Sequence, residues 1–194
     1  NVDVAIAAIN NGADAVYIGG PAFGARKAVG NSLEDIEKAV RYAHRFYCRV
    51  FVTLNTILYD EELPEVERLI HGLYKIGVDA IIVQDPAVLK LDLPPIALHA
   101  STQMHNYDLE RIKFLDRLGF QRVVLARELS LAQLREIRQE VKAELEYFVH
   151  GALCVSLSGQ CYMSHYLTNR SANRGECAQA CRMQWTVEDD AGKV

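Results

Sequence analysis

One phrase occurs three times along this chain: a glycine suited to closing a helix, then a polar residue, then a short apolar run. It reads Gly12-Ala13-Asp14-Ala15-Val16-Tyr17-Ile18, Gly77-Val78-Asp79-Ala80-Ile81-Ile82-Val83 and Gly119-Phe120-Gln121-Arg122-Val123-Val124-Leu125. Glycine enters the left-handed conformation at a helix C-terminus without steric cost, so each phrase marks a helix end. Each apolar run is too short for a helix and rich in β-branched residues, which predicts a strand buried on both faces.

Further strands are predicted at Arg49–Leu54, 96–100 and 145–149, about six in all. The segments between them read as helices. Ser32-x-x-Asp35 and Ser130-x-x-Gln133 resemble capping boxes, and Leu63, Val66, Leu69, Ile70, Leu73 and Ile76 recur at helical spacing. Strict strand-helix alternation dictates a parallel sheet, either doubly wound or most of a β/α barrel. The barrel is favoured because no glycine-rich dinucleotide fingerprint opens the first unit. Gly19-Gly20-Pro21-Ala22-Phe23-Gly24 comes nearest, and it reads better as a strand-to-loop turn. The expected architecture is α/β: an incomplete TIM-like barrel over residues 1–150, then a cysteine-rich loop segment over 151–194 at the barrel mouth.

Both ends suggest cut edges of a larger fold. The chain starts on a helical pattern, Val2, Val4, Ala5, Ile6, Ala8 and Ile9, with no strand ahead of it, and 184–193 alternates like a strand up to an acidic-Gly turn. A composition 50% hydrophobic and 24% charged is that of a globular domain and excludes disorder. No run approaches the roughly 18 apolar residues of a membrane span and no leader pattern is present, so the cytoplasm is the expected compartment.

In either parallel architecture the working rim lies where the strands end. That puts Asn55, Gln84, His99, Ser101, Gln103, Arg127, Glu128 and His150 at or near one face. Asn55, Gln84, His99, Ser101, Gln103 and Arg127 are the candidates for holding a polar small molecule, and Glu128 for acid-base work. Each has the plain alternative of capping a helix or satisfying a loop.

Four of the five cysteines, Cys154, Cys161, Cys177 and Cys181, fall within 28 positions and begin directly after the last predicted strand. Two disulfides do not suit a leaderless chain of cytosolic composition. Zinc takes four thiolates but usually in paired short knuckles, and only Cys177 and Cys181 have that form. An iron-sulfur cluster also takes four thiolates and accepts irregular loop spacing, so spacing alone leaves the two metals open. A single nucleophilic cysteine with His150 or His165 as base would not explain the other three thiols. Cys48 reads as a buried small hydrophobe.

The net charge is −4, from 21 basic and 25 acidic residues, which argues against a surface that is nucleic-acid footprint throughout. Between His150 and Val187 the sign reverses: Arg170, Arg174 and Arg182 face the single acid Glu176. That segment would attract an anionic ligand or a phosphate backbone, or its arginines could hydrogen-bond cluster sulfurs. No H-E-x-x-H, G-x-S-x-G or Walker-A sequence is present, so those three mechanisms have no foothold.

Glu146-Tyr147-Phe148-Val149-His150-Gly151-Ala152-Leu153-Cys154-Val155-Ser156-Leu157-Ser158-Gly159-Gln160-Cys161-Tyr162-Met163-Ser164 closely resembles the signature of the collagenase-like peptidase family U32. Asn173-Arg174-Gly175-Glu176-Cys177-Ala178-Gln179-Ala180-Cys181-Arg182 resembles that family's second cysteine segment, and 12–20 and 99–103 resemble its barrel strands. The resemblance implies an incomplete barrel lacking a first strand before Asn1 and closing material after Val194. It implies one of two activities. Some members carry the peptidase name; others hydroxylate a pyrimidine of transfer or ribosomal RNA, or a ubiquinone precursor, without molecular oxygen. RNA-modifying members depend on prephenate, and ubiquinone members hold a four-iron, four-sulfur cluster on four cysteines. Carried over, the ligands would be Cys154, Cys161, Cys177 and Cys181, with a cysteine beyond Val194 able to replace the last.

The phrase 171–179 looks most like the ribosomal-RNA branch. The resemblance thus implies a bacterial RNA hydroxylase with RNA and a small anionic metabolite as partners. Arg174 and Arg182 would hold anionic substrate or tune the cluster, and His150 or His165 would move protons. The competing expectations are a metal-dependent peptidase, although four thiolates would close zinc's open position, and a non-catalytic scaffold with a structural zinc.

Overall fold

Strand-helix alternation is visible in the computed structural model, which describes residues 1–26, 30–190 and 192. Helix α1 (Val2–Asn10) leads into β1 (Ala15–Gly19), and the units α2 (Leu33–His44), β2 (Arg49–Leu54), α3 (Leu63–Lys75) and β3 (Ala80–Val83) follow. A short 3-10 turn, Pro86–Lys90, stands where the next helix would be, ahead of β4 (Ala97–Ala100). Then come α4 (Leu109–Arg117), β5 (Arg122–Val124), α5 (Leu131–Glu140), β6 (Glu144–Glu146) and, in the cysteine segment, α6 (Met163–Thr168). The six strands form one parallel sheet in the order β1-β2-β3-β4-β5-β6. Sequential order with no reversal settles the choice the sequence left open: the sheet is singly wound and curls as a half-barrel.

The three glycine phrases fold alike. Gly12, Gly77 and Gly119 all have φ near +90°. Behind each, the following amide reaches back five residues, Ala13 to Ala8 O, Val78 to Leu73 O and Phe120 to Leu115 O, at 3.1–3.3 Å. This is the Schellman closure. The polar residue that follows then locks the neighbouring strand. Asp79 Oδ2 accepts from Val50 N at 2.7 Å and Gln121 Oε1 accepts from Leu98 N at 2.7 Å. A fourth closure, Cys48 N to Ala43 O, ends α2, with Tyr47 at φ 57° where the others have glycine.

Helix starts follow the capping chemistry. Ser130 and Gln133 form a full capping box, whereas Ser32 accepts from Asp35 N at 3.1 Å and Asp35 turns instead to Lys38. Val66, Ile70 and Leu73 of α3 are wholly buried against the convex face of the sheet, where Val50, Val52, Ile81, Val83, Val123 and Leu125 also point. Replacing Ile70 or Leu73 by alanine would cost about 2–5 kcal/mol.

The other face of the strands is different. Tyr17, Phe51, His99, Arg122, Glu144 and Glu146 occupy alternate positions to the convex core and line the hollow of the half-barrel, with a small apolar layer of Phe51, Ala80 and Ile82 among them.

Two expectations are corrected. The sixth strand spans Glu144–Glu146, not 145–149: β5 has turned away by Ala126, whose amide donates to Asn106 O, so nothing is left for 147–149 to pair with. Residues 184–189, expected to extend a strand, join no ladder among the described residues, since no neighbouring strand lies beside them. Lys193, at the end of that stretch, is outside the described residues.

Candidate functional site

The ends of β2, β3 and β4 bring several of the expected rim residues together. Asn55 Oδ1 accepts from Ala25 N at 2.9 Å, and its Nδ2 donates to Ser101 Oγ at 3.2 Å. Ser101 Oγ also accepts from Gln103 N at 3.2 Å, and Gln84 Nε2 donates to Gln103 O at 3.3 Å. Asn55, Ser101, Gln103 and Gln84 are therefore one connected polar chain. Gln84 is 8% exposed, and its Oε1 has no hydrogen-bond partner among the described residues.

His99 sits one layer deeper and is 4% exposed. Its ring packs edge-on against Phe51 with centroids 4.7 Å apart, and its Nδ1 is also without a partner. Burial, reinforced by the Arg122 guanidinium, pushes its pKa down to about 4, so the imidazole is neutral at ordinary pH. Arg122 in turn lies 5.0 Å from the Phe51 centroid and is bonded to both Glu144 and Glu146. Glu146 receives the Tyr17 hydroxyl, whose pKa is raised first by burial and then by that carboxylate. The Arg122 hydrogen bond holds Glu144 below the usual carboxylate range. The sequence reading passed over this lattice. Its signal was there: charged side chains at alternate positions of strands that should be buried on both faces.

Arg127 and Glu128 are occupied by the cysteine segment. Arg127 donates to Cys154 O at 2.9 Å and to Ser156 O at 3.1 Å, and a Glu128 oxygen accepts from Ser158 N at 3.0 Å. Gly159 then lies so close to β4's rim that a Cβ there would fall 1.9 Å from Gln103 O, and its φ is +71°. Only glycine fits.

Arg174 fastens the other half of the segment. It forms a two-pronged pair with Glu62 at 2.5 and 2.9 Å, donates to Ile57 O at 2.6 Å and lies 4.2 Å over the Tyr59 ring. Ile57 N returns a bond to Asn173 O at 3.1 Å. That guanidinium holds Glu62 below its ordinary pKa.

The segment 151–182 is thus seated on the strand ends by three clasps, and the thiols are carried at the rim. All four are free: Cys154, Cys177 and Cys181 are exposed and Cys161 is partly covered. Cys177 Sγ lies 3.9 Å from the buried Ser164 hydroxyl, which also receives Ala178 N. Among the described residues no three His, Cys, Asp or Glu side chains converge as a metal-binding group. The donor chemistry suits a cluster, but the arrangement as it stands does not assemble the ligand set. His150, His165 and Arg182 are exposed, and none has a side-chain hydrogen bond or ion pair among the described residues. Cys48 is buried below the sheet, and burial pushes its thiol up.

The family model of peptidase family U32 matches residues 1–193. The chain belongs to peptidase family U32. Within that family it is 59% identical over 194 residues to the 23S rRNA 5-hydroxycytidine C2501 synthase of Escherichia coli, covering 99% of this chain and 30% of that protein. It is 35% identical over 189 residues to tRNA hydroxylation protein P1 of Bacillus subtilis, covering 95% and 45%, and 37% identical over 202 residues to a collagenase of Porphyromonas gingivalis, covering 96% and 49%. The chain spans between about a third and a half of the length of these relatives. Among solved structures, the U32 peptidase Mk0906 superposes with a TM-score of 0.62 at 17% identity, over 73% of this chain and 63% of that one, which supports the shared half-barrel fold. The chain's relatives carry names both of RNA-modifying proteins and of a collagenase. Among the described residues no helix is long and apolar enough to cross a membrane.

Proposed function

We propose that this U32 chain is the barrel portion of an oxygen-independent RNA hydroxylase that modifies a pyrimidine, in ribosomal RNA rather than transfer RNA. The observation that carries the reading is 59% identity, across virtually the whole chain, to a 23S rRNA 5-hydroxycytidine synthase, against 35% to a tRNA hydroxylation protein. In this reading the polar chain of Asn55, Gln84, Ser101 and Gln103, with His99 beneath it, receives the polar substrate. Gln84 Oε1 and His99 Nδ1 are two of the four buried side-chain atoms that lack a partner among the described residues, with His105 Nδ1 and Asn106 Oδ1 the others.

The proposal extends to prephenate as co-substrate and to Cys154, Cys161, Cys177 and Cys181 as ligands of an iron-sulfur cluster, supported by four free thiols seated at the rim. When bound, such a cluster would supply electron transfer. The protein's own residues hold the loop that carries its ligands: Arg127 and Glu128 from β5's end, Gly159 on Gln103, and Arg174 on Glu62.

Comparing nucleoside masses of ribosomal and transfer RNA from cells with and without the gene tests the substrate. Loss of one hydroxylated pyrimidine from ribosomal RNA is expected, and an unchanged profile in both RNAs refutes the reading. Iron, labile sulfide and zinc assayed together on anaerobically purified full-length protein test the cofactor; stoichiometric zinc without sulfide would exclude the cluster. The relative named collagenase keeps peptide hydrolysis as a second reading, which gelatin cleavage by the same preparation would reveal.

A further inference from the structure

The cysteine segment exposes large aromatic side chains where a folded loop would ordinarily bury them. Tyr162 is 60% exposed, Tyr166 88% and Trp185 54%. Tyr162 caps α6 and Tyr166 lies one turn further on, its amide bonded to the Tyr162 carbonyl, so the two residues are neighbours on the helix's first turn. Helix α6 packs against the turn Ala180–Arg182, and Trp185 Nε1 donates to Ala180 O at 2.9 Å, which ties the indole to that same turn. The three rings therefore belong to one neighbourhood.

Cations are interleaved with them. Arg170 follows Tyr166 by four positions and Arg182 precedes Trp185 by three, both exposed and without a side-chain partner among the described residues. Arg174 is consumed by Glu62 and drops out of the count. Glu176 is the one acid between His150 and Val187, and Glu188, Asp189 and Asp190 follow just beyond Trp185. Aromatic faces with guanidinium groups beside them suit unpaired bases joined by phosphates.

We propose that the face of α6 and the adjoining 180–185 turn is a stacking platform for single-stranded RNA. Tyr162, Tyr166 and Trp185 meet base faces, and Arg170 and Arg182 meet phosphates. The proposal rests on the RNA reading above and deepens it: the platform presents an unpaired stretch of the substrate next to the rim. Duplex RNA, whose bases are already stacked on one another, does not satisfy it.

The test is fluorescence anisotropy of the full-length protein with a labelled twelve-nucleotide, pyrimidine-rich single-stranded RNA, and with a duplex of the same length. Tyr166→Ala and Trp185→Ala are each expected to weaken single-strand binding by about 5-fold or more, with Tyr166→Phe and Trp185→Phe near wild type. Arg170→Gln and Arg182→Gln are expected each to reduce the slope of log affinity against log salt by about 0.7. Unchanged melting of the variants shows that folding is intact, and the arginine variants keep the test valid if an alanine variant fails to fold. Wild-type protein that binds RNA while Tyr166→Ala, Trp185→Ala, Arg170→Gln and Arg182→Gln all bind equally well overturns the platform alone, as it would if the face served a protein partner. Wild-type protein that binds neither RNA overturns the RNA reading itself.

Discussion

The Tyr17 hydroxyl donates to the Glu146 carboxylate across the hollow of the sheet, so side chains 129 positions apart tie the first strand to the last. Arg122 holds the same carboxylate and that of Glu144, making one guanidinium the keystone of three strands' inner faces.

Arg122→Met should therefore destabilise the protein by about 2 kcal/mol. The substitution leaves two like charges side by side, and the figure is set below that of a fully buried pair because Glu144 is largely solvated. Urea unfolding at neutral pH measures it; a change below about 0.5 kcal/mol would show that solvent already screens the lattice.

His99 gives the pH dependence. Its folded pKa, about 4, lies below the unfolded value near 6.5, so the unfolded chain binds the proton first as pH falls. The associated stability is complete above pH 6.5 and is lost progressively down to about pH 4, with about 2 kcal/mol gone by pH 5. Urea midpoints at pH 7 and 5 should show that loss, and His99→Phe should flatten it. An equal drop in the variant would assign the effect to other groups.

Gly159→Ala should unseat the cysteine segment, because the new methyl collides with the Gln103 carbonyl and the left-handed backbone resists it. The expected outcome is faster proteolytic nicking within 151–161 with the barrel's melting little changed. Wild-type nicking rates would mean that the rim can yield.

Tyr47→Gly should stabilise by about 1 kcal/mol. Tyr47 is 96% exposed, so little packing is lost, while glycine removes the left-handed strain at the end of α2. Thermal melting decides it, and a destabilised variant would mean that the ring shields something beneath it.

Thiol labelling of metal-free protein should distinguish the cysteines. Cys154, Cys177 and Cys181 should react quickly, Cys161 more slowly, and Cys48 only on unfolding. Mass spectrometry of the labelled peptides gives the order, and rapid labelling of Cys48 would contradict its burial.

The barrel was readable because its signals are local. Gly12, Gly77 and Gly119 announce helix ends within a few residues of the strands they precede, and alternation does the rest. The fourth closure was invisible, since Tyr47 carries no mark of a left-handed turn and is held there by the bond from Cys48 to Ala43. Charged rim residues were harder for a different reason. Arg127 and Arg174 were read as facing a ligand, but their partners, 27 and 112 positions away in Cys154 and Glu62, are set by tertiary structure. The clustering of cysteines was plain in the sequence; whether the thiols converge depends on loop conformation, which spacing does not encode.

The glycine closures and the side-chain locks beside them all act at the end of the sheet remote from the cysteines. Strand register is thereby decided at one end, while the other end carries the variable loops and the thiols. Such a division gives mutations separate targets: changes at the rim can alter what is recognised without slipping a strand, whereas a change at Asp79 or Gln121 would disturb alignment before it touched specificity.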